Sequence, residues 1–534
     1  MPMLLQAIQA MAGPYLLAAL TFGALLRIAS ACALYGLLLR ISRPSFAAIA
    51  TITALLVSST DVSDTAFYYN HLGAALVLIG TYLGTVGATG KQWTHRLAGV
   101  CGGGLITYAV AVKQTMILGA AAAVVALIVL ALPRPRSGWT GWLLSLSAGG
   151  AISVAAVWAW LARNGLLDAW QYAMARAADG KGGIGRSLMR PLTLVDDIQD
   201  VFLASIGAWI VIGIVAVVWR RHERGKPVSG EVLAVSVGLV AVSIRTFAGL
   251  SHGRGLTLFL TALGWWGSLA LALLHVPYPR RMPLDPVART IVGLGVLSFG
   301  IGYSFTVSWP LFENAAFPGL ALVVAATLER PPSTSPRRWV VAILILAHLS
   351  MGLSLYRKFT YPHLWGSWIE PPLSSPPGAF KHPSLVGLRI SAPSSDLYTL
   401  VARMAEEHST PDDRIYVFPN LPILYAIADR RPATFALAHW VDICPDYVGR
   451  EDAVRLRTSP PKIMILRDDP VGLVGMEEWL YRGGEASSVR DILAALEAIK
   501  PSYDRVSVFR SPASWPISIF VRREHTDGQP GRAP

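Results

Sequence analysis

The chain has 534 residues, of which 53% are hydrophobic and only 15% charged, with a mean hydropathy of +0.47. Soluble domains carry charge on about 25% of their residues, so this balance excludes an ordinary soluble globule, and three cysteines (Cys32, Cys101 and Cys444) exclude a disulfide framework. The net charge of +13 does not point to nucleic acid, because Lys and Arg fall in short clusters between apolar runs rather than along one face.

A hydrocarbon crossing takes about 20 apolar residues, and helices satisfy their own backbone there. Apolar runs predict spans near 15–39, 46–60, 66–86, 97–112, 114–132, 141–162, 201–219, 231–250, 256–275, 290–308, 312–328 and 339–356, about a dozen in all. The runs 46–60 and 97–112 are short for a crossing. Arg27 is the first charged residue, so no basic leader segment and no signal peptide are expected.

The connecting segments alternate in character. One set holds Arg40 and Arg43; Lys91 and Arg96; Arg134 and Arg136; Arg220, Arg221, Arg224 and Lys226; Arg280, Arg281 and Arg289; Arg330, Arg337 and Arg338. The opposite set holds Lys113 and Arg254 in short turns, with Arg163, Arg176, Lys181, Arg186 and Arg190 in the long 163–200 loop. The richer set is expected to face the cytoplasm, which turns both the N-terminus and the C-terminal part outward.

Within 163–200, Leu166, Leu167, Trp170 and Met174 share one helical face, as in an interfacial helix or a loop helix packed on the bundle. Gly180, Gly182 and Gly185 match a dinucleotide-binding spacing, but no strand precedes them and no βαβ unit surrounds them, so a plain loop is the better reading.

Beyond residue 356 the sequence reads as a soluble α/β domain over 394–534, joined by a linker at 357–393 in which Ile369–Pro393 is Pro/Ser-rich and expected to be a linker or a lid-like loop. Ser395 and Asp396 are positioned to cap a helix through His408 that carries Leu397, Leu400, Val401 and Met404 on one side. Strand patterns follow at Arg414–Phe418, Pro461–Leu466, Asp504–Phe509 and Ile517–Val521, with a helix at Ser488–Ile499.

No Walker A, HExxH, zinc-type Cys/His or DxD pattern is present, so no metal ligands are expected and a divalent cation has no support in the residues. The informative groups are ionisable side chains at membrane depth, each costing roughly 2.5–3.5 kcal/mol at a helix centre. Arg27 lies mid-span; Asp61 and Asp64 end one span, with Tyr68, Tyr69, Asn70 and His71 opening the next; Lys113 and Gln114 form a tight turn; Arg245, His252 and Arg254 gather at another. Two carboxylates facing several cations at one depth suit a reaction in which the cations hold a lipid phosphate and a carboxylate accepts the proton of an acceptor hydroxyl. Asp61 and Asp64 are thus the candidate bases. Arg27, His71, Lys113, Gln114, Arg245, His252 and Arg254 are the candidate substrate contacts. The plainer reading has Lys113 and Arg254 snorkelling to headgroups and the aspartates ending helices.

Several stretches resemble the GT-C superfamily, specifically bacterial membrane glycosyltransferases of the dolichyl-phosphate-mannose:protein mannosyltransferase type. ALLRIASACALYGLLLRISRPSFAAIATITALL is similar to the second and third helices of that family. LAGVCGGGLITYAVAVKQT is similar to its Gly-rich span ending in an outer-face lysine, and DDRIYVFPNLPILYAIADRRPAT with SPPKIMIL to its extracytoplasmic α/β domain. The resemblance implies a multi-pass protein of a bacterial plasma membrane that moves a sugar from a polyprenyl-phosphate donor to an acceptor glycan, lipid or protein on the outer face. Lys113 would hold the donor phosphate, and Arg254 is a looser match to a later basic position. The family places its catalytic acid in a first outer loop after a first helix; neither has a counterpart here, which predicts a truncated start or a shortened paralogue. Two other readings stay open: a flippase for lipid-linked saccharides, and a non-catalytic paralogue that binds a glycan or a partner.

Overall fold

The computed structural model describes residues 16–58, 69–89, 92–131, 139–171 apart from 169, 254–275, 285–306, 317–329, scattered positions between 344 and 369, and 370–523 apart from 442, 443, 469, 483 and 513. The spans expected at 201–219 and 231–250, most of 339–356, and most of the 163–200 loop with its glycine motif lie outside the described residues. Chain contacts divide the protein into two units. One is built mainly from residues 18–168 and 188–358, the other mainly from 359–534.

The described helices of the first unit are α1 (Leu16–Leu38), α2 (Pro44–Ser58), α3 (Tyr69–Gly87), α4 (Trp93–Val112), α5 (Met116–Ala131), α6 (Trp139–Arg163), α7 (Arg254–His275), α8 (Pro286–Thr306) and α9 (Phe317–Leu328). Leu20–Leu38 of α1, all of α6 and Pro286–Ser304 of α8 are long and apolar enough to cross a membrane, whereas α2, α5, α9 and His71–Gly87 of α3 are apolar but shorter. The 97–112 run gains length because its helix starts at Trp93, taking His95 and Arg96 into the first turn. Leu25, Ile28, Leu144 and Ile152 stay more than half exposed on helices that carry no acidic residue. Such surfaces suit lipid, and the unit is a membrane bundle.

Side-chain contacts set the direction of each helix. Arg27 meets His71 and Gly36 packs on the Tyr82 ring, so α1 and α3 run parallel. Gly80 abuts Gly102 and Gly87 abuts His95, so α3 and α4 are antiparallel. Gly73 meets Met116 and Gly84 meets Leu127, which makes α5 parallel to α3. Helix α8 opposes α5 through Gly119 with Ser304 and Gly293 with Leu130, and opposes α7 through Gly302 with Trp265 and Gly295 with Ala272. Arg43 donates its backbone N–H to Glu329 Oε1 at 2.5 Å and brings its guanidinium within 3.7 Å of the same carboxylate, joining the start of α2 to the residue after α9. The described members of the cation-rich set, Arg40, Arg43, Arg96 and Arg289, therefore sit at one end of the bundle. The α4–α5 turn sits at the other.

The second unit holds a small hairpin of β1 (Leu364–Trp365) and β2 (Trp368–Ile369), then α10 (Ala392–His408), β3 (Arg414–Phe418), α11 (Ile423–Ala428), β4 (Arg431–Pro432), α12 (Asp446–Thr458), β5 (Ile463–Arg467), α13 (Pro470–Arg482), α14 (Val489–Ile499), β6 (Tyr503–Ser511) and β7 (Ser514–Arg522). The main sheet has the order β4-β3-β5-β7-β6; β4, β3 and β5 are parallel, and β7 and β6 are antiparallel additions. Alternate residues Ile415, Val417, Ile463, Ile465, Ile517 and Ile519 build one core with Leu397, Val401, Leu424 and Ile427. Their neighbours Tyr416, Phe418 and Met464 are buried on the opposite face. Both faces are covered, as parallel strands require.

Three expectations change. The cap of α10 is Ser391, whose Oγ accepts from Ser394 N–H, and not Ser395 or Asp396. Pro393 falls in the first turn of the helix, where its missing N–H costs nothing, and Ser395 instead takes the Phe380 N–H on its hydroxyl. The Pro/Ser-rich segment is largely packed: Leu385 is buried in the core and Phe380, Leu388 and Ile390 lie against it. Strand β7 also starts three residues before the expected Ile517, carrying Pro516 within it.

Candidate functional site

The Arg27 side chain emerges from the middle of α1 and its Nη2 donates to Nδ1 of His71 in the first turn of α3 at 2.9 Å. Leu25, Leu26 and Ile28 flank Arg27 on α1, and a guanidinium at membrane depth is costly. Two residues beyond His71, Gly73 packs against Met116, the first residue of α5. The α4–α5 turn, Lys113–Gln114–Thr115, is thereby held beside the Arg27–His71 pair.

The turn is tightly bonded. Lys113 N–H donates to Ala109 O at 3.0 Å, and the Lys113 and Gln114 carbonyls accept from Met116 and Ile117 at 2.9 and 3.1 Å. Lys113 is half-buried, and Gln114 is exposed. Gly119, one turn into α5, donates its N–H to Ser304 Oγ at 2.8 Å, which brings the end of α8 to the same place. There Trp265 and Phe299 stack with ring centroids 5.2 Å apart, and Tyr303 lies 5.9 Å from Phe299.

Of the residues singled out from the sequence, Arg27, His71, Lys113 and Gln114 are thus gathered at one end of the bundle. Arg254 is the first residue of α7, and Trp265, further along the same helix, packs on Gly302 near the end of α8. Asp61, Asp64, Arg245 and His252 lie outside the described residues. Sequence reasoning passed over Thr115. Its Oγ1 is buried with no hydrogen-bond partner among the described residues. A threonine in a turn carries no chemical signal of its own; only the fold shows its hydroxyl turned inward beside Lys113.

A second cluster of titratable groups lies in the α/β unit. Tyr416 on β3 bonds His439 Nδ1 at 3.0 Å, and His439 Nε2 meets Asp452 Oδ2 at 3.2 Å. Asp452 also accepts from the N–H groups of Phe435 (2.8 Å) and Ala436 (2.9 Å) and from Arg455 Nη1 at 2.8 Å. Burial pushes Asp452 up, and the bonds from His439 and the two backbone amides outweigh it and hold the carboxyl below its ordinary value. Burial drives the Tyr416 phenol well above its usual range and the Cys444 thiol up to about 12. Tyr416, His439 and Asp452 are no more than 1% exposed. A hydroxyl–imidazole–carboxylate chain closed off in this way orders the 433–441 loop against α12 and has no access to a substrate. Among the described residues no three His, Cys, Asp or Glu side chains converge as a metal site would need.

No family model matches this chain, and no curated protein matches it. Among solved structures it is similar to the crystal structures of ArnT from Cupriavidus metallidurans in the apo state and bound to undecaprenyl phosphate. In each case the identity is 13% over 96% of this chain and 85% of the other, with a TM-score of 0.37.

Proposed function

We propose that the chain is a membrane glycosyltransferase of the GT-C type that takes a sugar from a polyprenyl-phosphate-linked donor and gives it to an acceptor at the outer face of a bacterial plasma membrane. The observation that carries this reading is the gathering of Arg27, His71 and Lys113 at the end of the bundle opposite its arginine-rich end. Cations gathered at the edge of an apolar bundle suit a ligand with a phosphate head and a hydrocarbon tail. In this reading Lys113 stabilises the charge that builds on the departing phosphate. A carboxylate, with Asp61 and Asp64 as the candidates, takes the acceptor proton, and the α/β unit lies on the outer side.

The full chain reconstituted in liposomes with a radiolabelled polyprenyl-phosphate sugar and membrane-extracted acceptors tests it. Label should move to the acceptor fraction, and Lys113→Ala should slow that transfer roughly 10²-fold, as loss of a charge-stabilising donor does. Transfer at the wild-type rate in Lys113→Ala would remove the lysine from the mechanism. Translocation of the lipid-linked sugar without transfer would instead identify a flippase.

A further inference from the structure

Helix α13 (Pro470–Arg482) is turned the wrong way round for a helix in water. Its charged residues Glu477, Glu478 and Arg482 are buried, whereas Val471, Met476 and Trp479 are each more than half exposed. Water selects the opposite arrangement, with the apolar stripe inward and the charges outward.

The inward charges hold the helix in this orientation. Glu478 Oε1 accepts the Ser487 N–H at 2.7 Å, and its Oε2 accepts from Arg490 Nε at 2.9 Å. Glu477 Oε2 takes the Val441 N–H at 3.3 Å, and Arg482 donates twice to Asp446 at 2.8 Å. Leu473 and Val474 are buried on the same side. Rotating the helix to hide Val471 and Trp479 would break these bonds.

The outward face carries no charge: its described members are Val471, Gly472, Gly475, Met476 and Trp479. Gly475 has nothing within 4 Å of where a Cβ would stand, so the face is open. A second tryptophan stands beside the start of the helix. The Asp468 N–H donates to Pro516 O at 2.9 Å, which places the exposed Trp515 there, with the Arg467 guanidinium 5.0 Å from its ring centroid. An apolar stripe bordered by tryptophan and arginine has the composition of a surface at the headgroup level of a bilayer. The chain supplies the bilayer: the membrane bundle runs to Lys358 and the α/β unit takes up at Phe359, so no free linker parts the two in sequence.

We infer that the outer face of α13, with Trp515 at its start, is a docking surface for the lipid interface of the membrane that carries the bundle. This holds whatever reaction the bundle performs.

Spin labels on the full chain in nanodiscs of phosphatidylcholine and phosphatidylglycerol test it, with the native cysteines replaced by alanine. Labels at Val471→Cys and Met476→Cys should be reached by oxygen and lose access to a water-soluble nickel chelate, as at a depth of about 5–10 Å into the headgroup–acyl boundary. A label at Arg403→Cys, on an exposed position of α10, should show the reverse. If nickel reaches 471 and 476 as readily as 403, the face lies in water and the inference falls. If both relaxants are excluded from 471 and 476, protein covers the face, from the bundle or a second copy, and the inference falls equally. Should a labelled chain not fold, the unlabelled protein decides: acyl-brominated lipid should quench wild-type tryptophan emission more than that of Trp479→Phe. Equal quenching would overturn the docking.

Discussion

Asp446, the first residue of α12, shows how a single carboxylate can tie three helices. Its two oxygens each take an Arg482 N–H at 2.8 Å, and Oδ1 also accepts the Ser488 N–H at 2.9 Å. Burial raises this carboxyl, but the bonds from Arg482 and Ser488 outweigh it and hold it below its ordinary value. A depressed folded-state value means that the stabilisation is present above the unfolded carboxylate range, near about 3.9, and is lost as pH falls through the lower folded value. Asp446→Asn should therefore cost roughly 3 kcal/mol at pH 7, because the buried Arg482 guanidinium loses the carboxylate that takes two of its N–H groups. It should also flatten the loss of stability below about pH 4. Pulse proteolysis of the full chain in urea at pH 7 and at low pH measures both. An unchanged midpoint at pH 7 would show that the pair is not stabilising. The same scale explains what the sequence could show of the site. Arg27 and Lys113 stand out because charge at membrane depth is costly wherever it is placed. The bond between Arg27 and His71 is invisible to any local pattern, since it spans 44 positions and exists only because α1 and α3 are parallel neighbours in one register.

At the scale of elements, the contact between α4 and α6 brings backbone directly against backbone. A Cβ on Gly149 would stand 1.8 Å from Val100 O, and one on Gly103 would stand 2.0 Å from Leu146 O. Backbones meet directly there, as small residues allow in membrane bundles, where dispersion and close packing replace the hydrophobic drive. Gly149→Val should separate α4 from α6 and lower the melting temperature of the detergent-purified chain. Gly141→Val, at a position with nothing within 4 Å, should leave it near wild type. Equal melting for the two variants would mean that the close approach contributes nothing. The elements that sequence reading misplaced were misplaced by proline. Pro393 reads as a stop, yet it fits the first turn of α10. Pro516 reads as the limit of a strand, yet it lies within β7, where its carbonyl accepts from Asp468 N–H. Strand β3, with no proline inside it, runs from Arg414 to Phe418 as its pattern predicts.

Over the whole molecule, the alternation of cation-rich and cation-poor segments was legible because it reflects a bulk rule of membrane insertion rather than any particular contact. The fold supplies the geometry behind that rule: Arg40, Arg43, Arg96 and Arg289 share one end, and Lys113 with Gln114 takes the other. Sidedness can be tested directly. Gln114→Cys should react with a membrane-impermeant maleimide added outside intact cells, and Arg43→Cys should react only after the membrane is opened, each in a chain whose native cysteines are replaced. The reverse pattern would invert the topology and place the Arg27–His71 pair on the cytoplasmic face.

The direct backbone contacts also bear on motion. A side-chain interface can slide by changing rotamers, whereas two backbones in van der Waals contact have no such slack. Gly102 presses on Gly80 and Gly84 of α3, while Gly103 presses on Leu146 of α6. Helices α3, α4 and α6 are therefore clamped into a single plate. In the sugar-transfer reading, any breathing that admits the donor's hydrocarbon tail has to occur around that plate. The seams made through side chains, as where α5 meets α3 through Met116 and Leu127, are the ones free to yield.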